Sequence, residues 1–145
     1  MDFVVDTNVL FSYFREGSFV NKAIKSRIFG LYSPRLALDE LNKYSGEICA
    51  KAGISKAKFR MLMEELNENV AIVPLEEYSS FFANAKRNAK PLRKEDFEEF
   101  LDDIDFASLA LKLKAPVWSN DKVFKKLSGL RSVTTAEVIE MLKSE

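Results

Sequence analysis

The chain has 145 residues, 47% of them hydrophobic and 30% charged, with Lys+Arg and Asp+Glu equal at 22 each. Such a length and composition predict one folded domain and exclude disorder, while the neutral balance leaves any nucleic-acid contact to a local patch. Histidine is absent and Cys49 is the only cysteine, which excludes a disulfide framework and a cysteine zinc cluster and suits a reducing, cytoplasmic setting.

Taken in chain order, short β-like runs alternate with helical ones. Phe3-Val4-Val5 is the first predicted strand, closed at once by Asp6-Thr7-Asn8. Ser18 is positioned to cap a helix carrying Val20, Ile24 and Ile28 that Gly30 would end. Leu31-Tyr32 is a second strand, and Ser33-Pro34 reads as an N-cap followed by proline at the first helical position. That helix should reach about Tyr44, with Ser45-Gly46 closing it. Ser55 opens another helix, with Phe59, Leu62, Met63 and Leu66 on one face. The span 47–69 is expected to form a helical pair projecting from the sheet.

The second half repeats the alternation. Ala71–Val73 is a third strand, and Glu76 to about Ala89 is one helix with Tyr78, Phe81, Phe82 and Ala85 inward. Lys90-Pro91 breaks it. Phe97 to Lys114 is helical with an interruption near Asp102-Asp103, and Pro116-Val117-Trp118 is a fourth strand. Asp121 should cap a helix over 122–127, Ser132–Thr134 is a fifth strand, and an amphipathic tail with Val138, Ile139 and Leu142 follows. Strands separated by helices predict parallel βαβ units with right-handed crossovers. The expected architecture is therefore one α/β domain over 1–145. No run approaches the roughly 18–20 apolar residues of a membrane span, and Asp2 and Asp6 interrupt any signal-like start.

Four acids stand out by position. Asp6 ends the first strand and Asp121 follows the fourth; if those strands are neighbours, the two meet at one sheet edge, where α/β folds collect their chemistry. Glu40 lies on a weakly charged helical face, and Asp102-Asp103 precede the small-residue helix at Phe106–Leu111. Like charges about 4 Å apart repel by roughly 4 kcal/mol at an effective dielectric of 20. Such a cluster must retain protons or recruit a cation. Oxygen ligands alone suit Mg²⁺ or Mn²⁺, and metal-assisted phosphodiester hydrolysis is the natural chemistry of a histidine-free acidic pocket.

At this point the sequence resembles a known family. Val4-Val5-Asp6-Thr7-Asn8-Val9-Leu10 looks like the opening motif of the PIN-domain nucleases. Glu40, Asp103 and Pro116-Val117-Trp118-Ser119-Asn120-Asp121 follow in the family's order, almost to the end of the chain. The resemblance implies a three-layer α/β/α sandwich around a mainly parallel sheet of four to five strands. It implies endoribonuclease activity with one or two Mg²⁺ or Mn²⁺ ions held by Asp6, Glu40, Asp103 and Asp121, supported by Thr7, Asn8 and Ser119. Asp105 stands where many relatives carry a proline, so the third acid is open among Asp102, Asp103 and Asp105. Small VapC-like members of this size resemble toxins of toxin–antitoxin pairs, so an RNA substrate, a small antitoxin and a homodimer are the implied partners.

Each acid also has an ordinary structural explanation. Asp6 and Asp121 suit turns and helix caps, Asp102 and Asp103 suit a helix start, and a lone Glu40 is a solvated helical acid. Lys86 and Arg87, in the densest basic run, and Lys122 and Lys125, after Asp121, are the candidate RNA-backbone contacts. Phe11, Tyr13, Phe14 and Phe19 are either base-stacking or core residues. Two rival readings remain: a PIN-fold RNA- or protein-binding regulatory module with weak catalysis, and a haloacid-dehalogenase-type phosphatase. The latter needs an acid where Asn8 stands.

Overall fold

Phe3, Val4 and Val5 are wholly buried, as a strand covered on both faces requires. They lie in β1 (Asp2–Val5), the middle of a five-stranded, all-parallel sheet completed by β2 (Gly30–Pro34), β3 (Ala71–Val73), β4 (Val117–Trp118) and β5 (Ser132–Val133). The computed structural model describes residues 1–144. Strand order is β3-β2-β1-β4-β5. Connections from β1 through β3 therefore run one way across the sheet, and those from β3 through β5 run the other. With right-handed crossovers, the two sets of helices cover opposite faces.

The first set is α1 (Thr7–Phe11), α2 (Phe19–Ser26), α3 (Arg35–Lys43), α4 (Ser45–Ala52) and α5 (Lys56–Asn69). The second is α6 (Leu75–Tyr78), α7 (Phe82–Asn88), α8 (Lys94–Leu101) and α9 (Ile104–Leu113), with α10 (Thr135–Lys143) after β5. Helix α9 is apolar nearly all round because it lies between the sheet and the outer helices. Phe106, Ala107, Leu109 and Ala110 are all buried. Trp118 is also wholly buried, edge-on to Phe3 at 5.7 Å and to Phe29 at 6.1 Å. Phe14 stacks on Phe59 at 5.0 Å, which brings the α5 residues Phe59, Leu62, Met63 and Leu66 of the 47–69 segment into the common core.

Several local expectations give way to tertiary context. Helix α2 starts at its Ser18 cap but ends at Arg27, which takes the left-handed conformation itself (φ 56°), so Gly30 is a strand residue and Ile28 is exposed. Ser33 caps nothing: its hydroxyl donates to the Val5 carbonyl at 2.6 Å, and Pro34 takes the cap position of α3. Ser45-Gly46 does not stop the helical path, because α4 begins at Ser45. The helix expected from Glu76 is split by a 3-10 turn at Ser79–Phe81, and that expected over 122–127 is a 3-10 turn at Lys122–Lys126. The break at Asp102-Asp103 is present between α8 and α9.

The buried Ser33 hydroxyl links β2 to the last residue before Asp6. Ser33→Ala leaves the Val5 carbonyl without that donor and should cost about 1–3 kcal/mol, read as a lower urea midpoint with an unchanged slope. An unaltered midpoint would show that the bond does not hold the strand end.

Candidate active site

Strands β1 and β4 are sequence-distant but adjacent, with Val5 opposite Trp118. The crevice beyond their carboxyl ends is the point where the sheet's connections reverse direction, the usual ligand position in open α/β folds. The backbone N–H of Asp6 donates to Trp118 O at 3.0 Å, which sets Asp6 beside Ser119.

Asp6 is 4% exposed and caps α1. Its Oδ1 accepts from Thr7 N at 2.8 Å, and its Oδ2 accepts from Ser119 Oγ at 2.6 Å and Asn8 Nδ2 at 2.9 Å. These donors favour the carboxylate, yet burial outweighs them and pushes its pKa up to about 6, with Asp121 and Glu40 adding repulsion. Asn8 also reaches the loop after β4, since its Oδ1 accepts from Asn120 N at 3.4 Å. Asp121 follows there, its N–H bonded to Ser119 Oγ at 3.0 Å and its Oδ1 capping the next turn through Val123 N.

Glu40 arrives from α3. Its Oε1 accepts from Thr7 Oγ1 at 2.9 Å. Burial raises its pKa above the ordinary glutamate value, opposed by the Thr7 bond and by Lys43, while Asp105 and Asp102 add to the rise. Asp103 stands at the start of α9 without capping it through its side chain. Its carboxyl is pushed up to about 7, first by burial and then by the negative charges of Asp6, Glu40, Asp121 and Asp102.

Asp6, Glu40, Asp103 and Asp121 thus line one hollow of about 290 Å³, together with Thr7 and Asn8. Of the three candidates for the third acid, Asp103 is the one that lines it. Asp105 accepts from the Tyr78 hydroxyl instead, and Asp102 is exposed. The donor set is all oxygen and excess negative charge is its common problem, which fits a hard divalent cation. Among the described residues, no three acids already stand in ligating geometry. An ion that keeps several waters, as Mg²⁺ does, tolerates such an open arrangement.

The basic candidates are not gathered here. Lys125 pairs with Glu137 at 2.6 Å, Arg87 bonds Asn84, and neither these nor Lys86 and Lys122 line the hollow. Phe11, one of the base-stacking candidates, lines the hollow, and two further lining residues carried no site signal in the sequence reading: Tyr44 and Glu47. Glu40, Tyr44 and Glu47 are spaced i, i+4 and i+7, so one helical face carries them all. Reading Ser45-Gly46 as a helix end hid that signal.

The model of a family described as the PIN domain matches residues 4–143. The chain belongs to the PIN-domain family. Its members are nucleases, generally hydrolytic, and generally use divalent metal ions. Among solved structures, this PIN domain is similar in fold to a chain of VapBC2 from Rickettsia felis, crystallised bound to a DNA fragment from their promoter. The TM-score is 0.60 and the identity 14%, over 92% of this chain and 98% of that one. No curated protein sequence matches the chain. Among the described residues of this PIN domain, no helix is long and apolar enough to cross a membrane.

The raised pKa values of Asp6 and Asp103 make a sign-specific prediction. Between 3.8 and about 7 the folded chain holds a proton on Asp103 that the unfolded chain has released. Stability without metal should therefore fall as pH rises through that window. Asp103→Asn should raise the melting temperature in EDTA at pH 8 and leave it nearly unchanged at pH 4. Equal melting shifts at both pH values would count against charge repulsion as the cause.

Proposed function

We propose that this PIN domain is a metal-dependent endoribonuclease that hydrolyses RNA phosphodiester bonds and serves as the toxin of a toxin–antitoxin pair. The observation that carries the reading is the meeting of Asp6, Glu40, Asp103 and Asp121 in one hollow at the β1–β4 crevice. Those four are the residues that would hold one or two Mg²⁺ or Mn²⁺ ions. Bound there, the metal supplies Lewis acidity toward a phosphodiester oxygen and acidifies water to a nucleophile at neutral pH.

The chain's own contribution is orientation and charge. Ser119 and Asn8 donate to the same oxygen of Asp6 and fix that carboxylate in one rotamer. Thr7 holds Glu40, which otherwise sits on a long and mobile side chain. Ser119 also receives the Asp121 N–H, so one hydroxyl positions two acids from two strands. Such supporting contacts fix ligand geometry before substrate arrives.

The antitoxin partner is inferred from a fold shared with a VapBC2 chain. A homodimer and a cytoplasmic site of action belong to the same reading.

Purified protein should cut RNA with Mg²⁺ or Mn²⁺, leave 5′-phosphate ends, and lose all cleavage in EDTA or on Asp6→Asn. Ser119→Ala should lower the rate by about 10–100-fold, the usual cost of losing an outer-shell partner. Undiminished cleavage by folded Asp6→Asn protein would remove the acids from the mechanism. Calorimetric Mn²⁺ binding without cleavage would mark a regulatory PIN module in place of an enzyme.

A further inference from the structure

The four aromatics of residues 11–19 have separate fates. Tyr13 and Phe14 are buried, and Phe19 packs toward Trp118 at 6.2 Å. Phe11 alone lines the acidic hollow, where it meets Tyr44 edge-on with ring centroids 6.3 Å apart. Tyr44 is 40% exposed, at the junction of α3 and α4, where no core contact demands a large ring. Two rings thus form a shelf at the rim of a site whose other lining residues are Thr7, Asn8 and five carboxylates. An apolar groove continues from Phe11 between α1 and α4, lined by Ser12, Arg15, Glu47, Ile48, Lys51 and Ala52, so its two cations outnumber its one carboxylate.

Three cations around this shelf are free to meet phosphate. Lys43 Nζ lies 5.4 Å from the Tyr44 ring centroid and near enough to Glu40 to oppose its protonation. Among the described residues, Lys43, Arg15 and Lys51 make no salt bridge, whereas Lys125 and Lys126 are paired to Glu137 and Asp96. Aromatic faces flanked by unpaired cations are the pattern that takes a splayed nucleobase and its neighbouring phosphates.

We propose that Tyr44 and Phe11 form a base-stacking subsite, holding a nucleobase of single-stranded RNA next to the phosphodiester presented to the acids, with Lys43, Arg15 and Lys51 on its flanking phosphates. The proposal rests on the ribonuclease reading for the identity of the nucleic acid and adds the two residues that seat a base beside the acids. A base paired in a duplex has no free face to lay on the shelf, so the subsite selects unpaired RNA. It is sequence-tolerant, because every base has a π-face.

The test is fluorescence anisotropy of an end-labelled single-stranded RNA oligonucleotide, at low salt with Ca²⁺, and wild-type, Tyr44→Phe and Tyr44→Ala proteins. Melting curves check that each variant folds. Tyr44→Ala should bind about 5- to 100-fold more weakly, the range expected for one lost base stack, while Tyr44→Phe binds as wild type. The same RNA as a duplex should bind weakly to all three. Equal affinity of folded Tyr44→Ala and wild type, or no wild-type binding at all, overturns the subsite. Normal RNA binding by Tyr44→Ala combined with loss of a co-expressed partner polypeptide overturns it in favour of a protein seat. Tyr44-dependent binding without cleavage in Mn²⁺ upholds the subsite while refuting the nuclease reading. Cleavage by Tyr44→Ala at unchanged KM and kcat does the reverse.

Discussion

Everything at the site depends on β4 pairing beside β1. That contact is short, two residue pairs in parallel register, but it joins residues more than a hundred positions apart. It sets Asp6 next to Ser119 and leaves the loop carrying Asp121 above the same crevice. Register matters as much as adjacency. A one-residue slip of either strand would turn Trp118 out of the core and swing Ser119 away from Asp6. The packing of Trp118 on Phe3 and Phe29, and its indole bond to Thr135 Oγ1 at 3.0 Å, oppose that slip. The apolar interior therefore specifies the polar geometry.

The electrostatics show which effect prevails. Asp6 receives three hydrogen bonds, a pattern that in an open site holds a carboxylate below its ordinary pKa, yet its value is raised. Burial and neighbouring charge overcome the donors. Asp103 lies in the same field, without comparable donors, and its pKa is raised further. A fold that gathers these groups without a counter-charge gives up stability at neutral pH. Strain of this kind is common where a site is built for a ligand and not for the resting fold.

Much of this was legible in the residues, and the misses have physical causes. The run Phe3-Val4-Val5 with Asp6 marks a central strand and its carboxylate, because an apolar stretch gives way at once to an acid and two small polar residues. The ordered acids resemble a PIN domain, and the matched family agrees. Local signals misled where a tertiary bond outbid them. Ser33 has the chemistry of a cap but finds a buried carbonyl, and Arg27 adopts the left-handed turn that was assigned to Gly30. Helix α1 went unread because five residues carry too little periodicity, although Asp6 is its cap. Neither could spacing decide among Asp102, Asp103 and Asp105. Their difference lies in which side chain the α8–α9 corner turns toward the crevice.

The late position of β4 has a consequence during synthesis. A growing polypeptide that ends before residue 117 already contains Asp6, Glu40 and Asp103, but has neither the strand that flanks β1 nor the serine that orients its acid. Contacts of such long sequence separation form after local ones. The hollow is therefore absent from the nascent chain and arises only as the last fifth of the molecule leaves the ribosome.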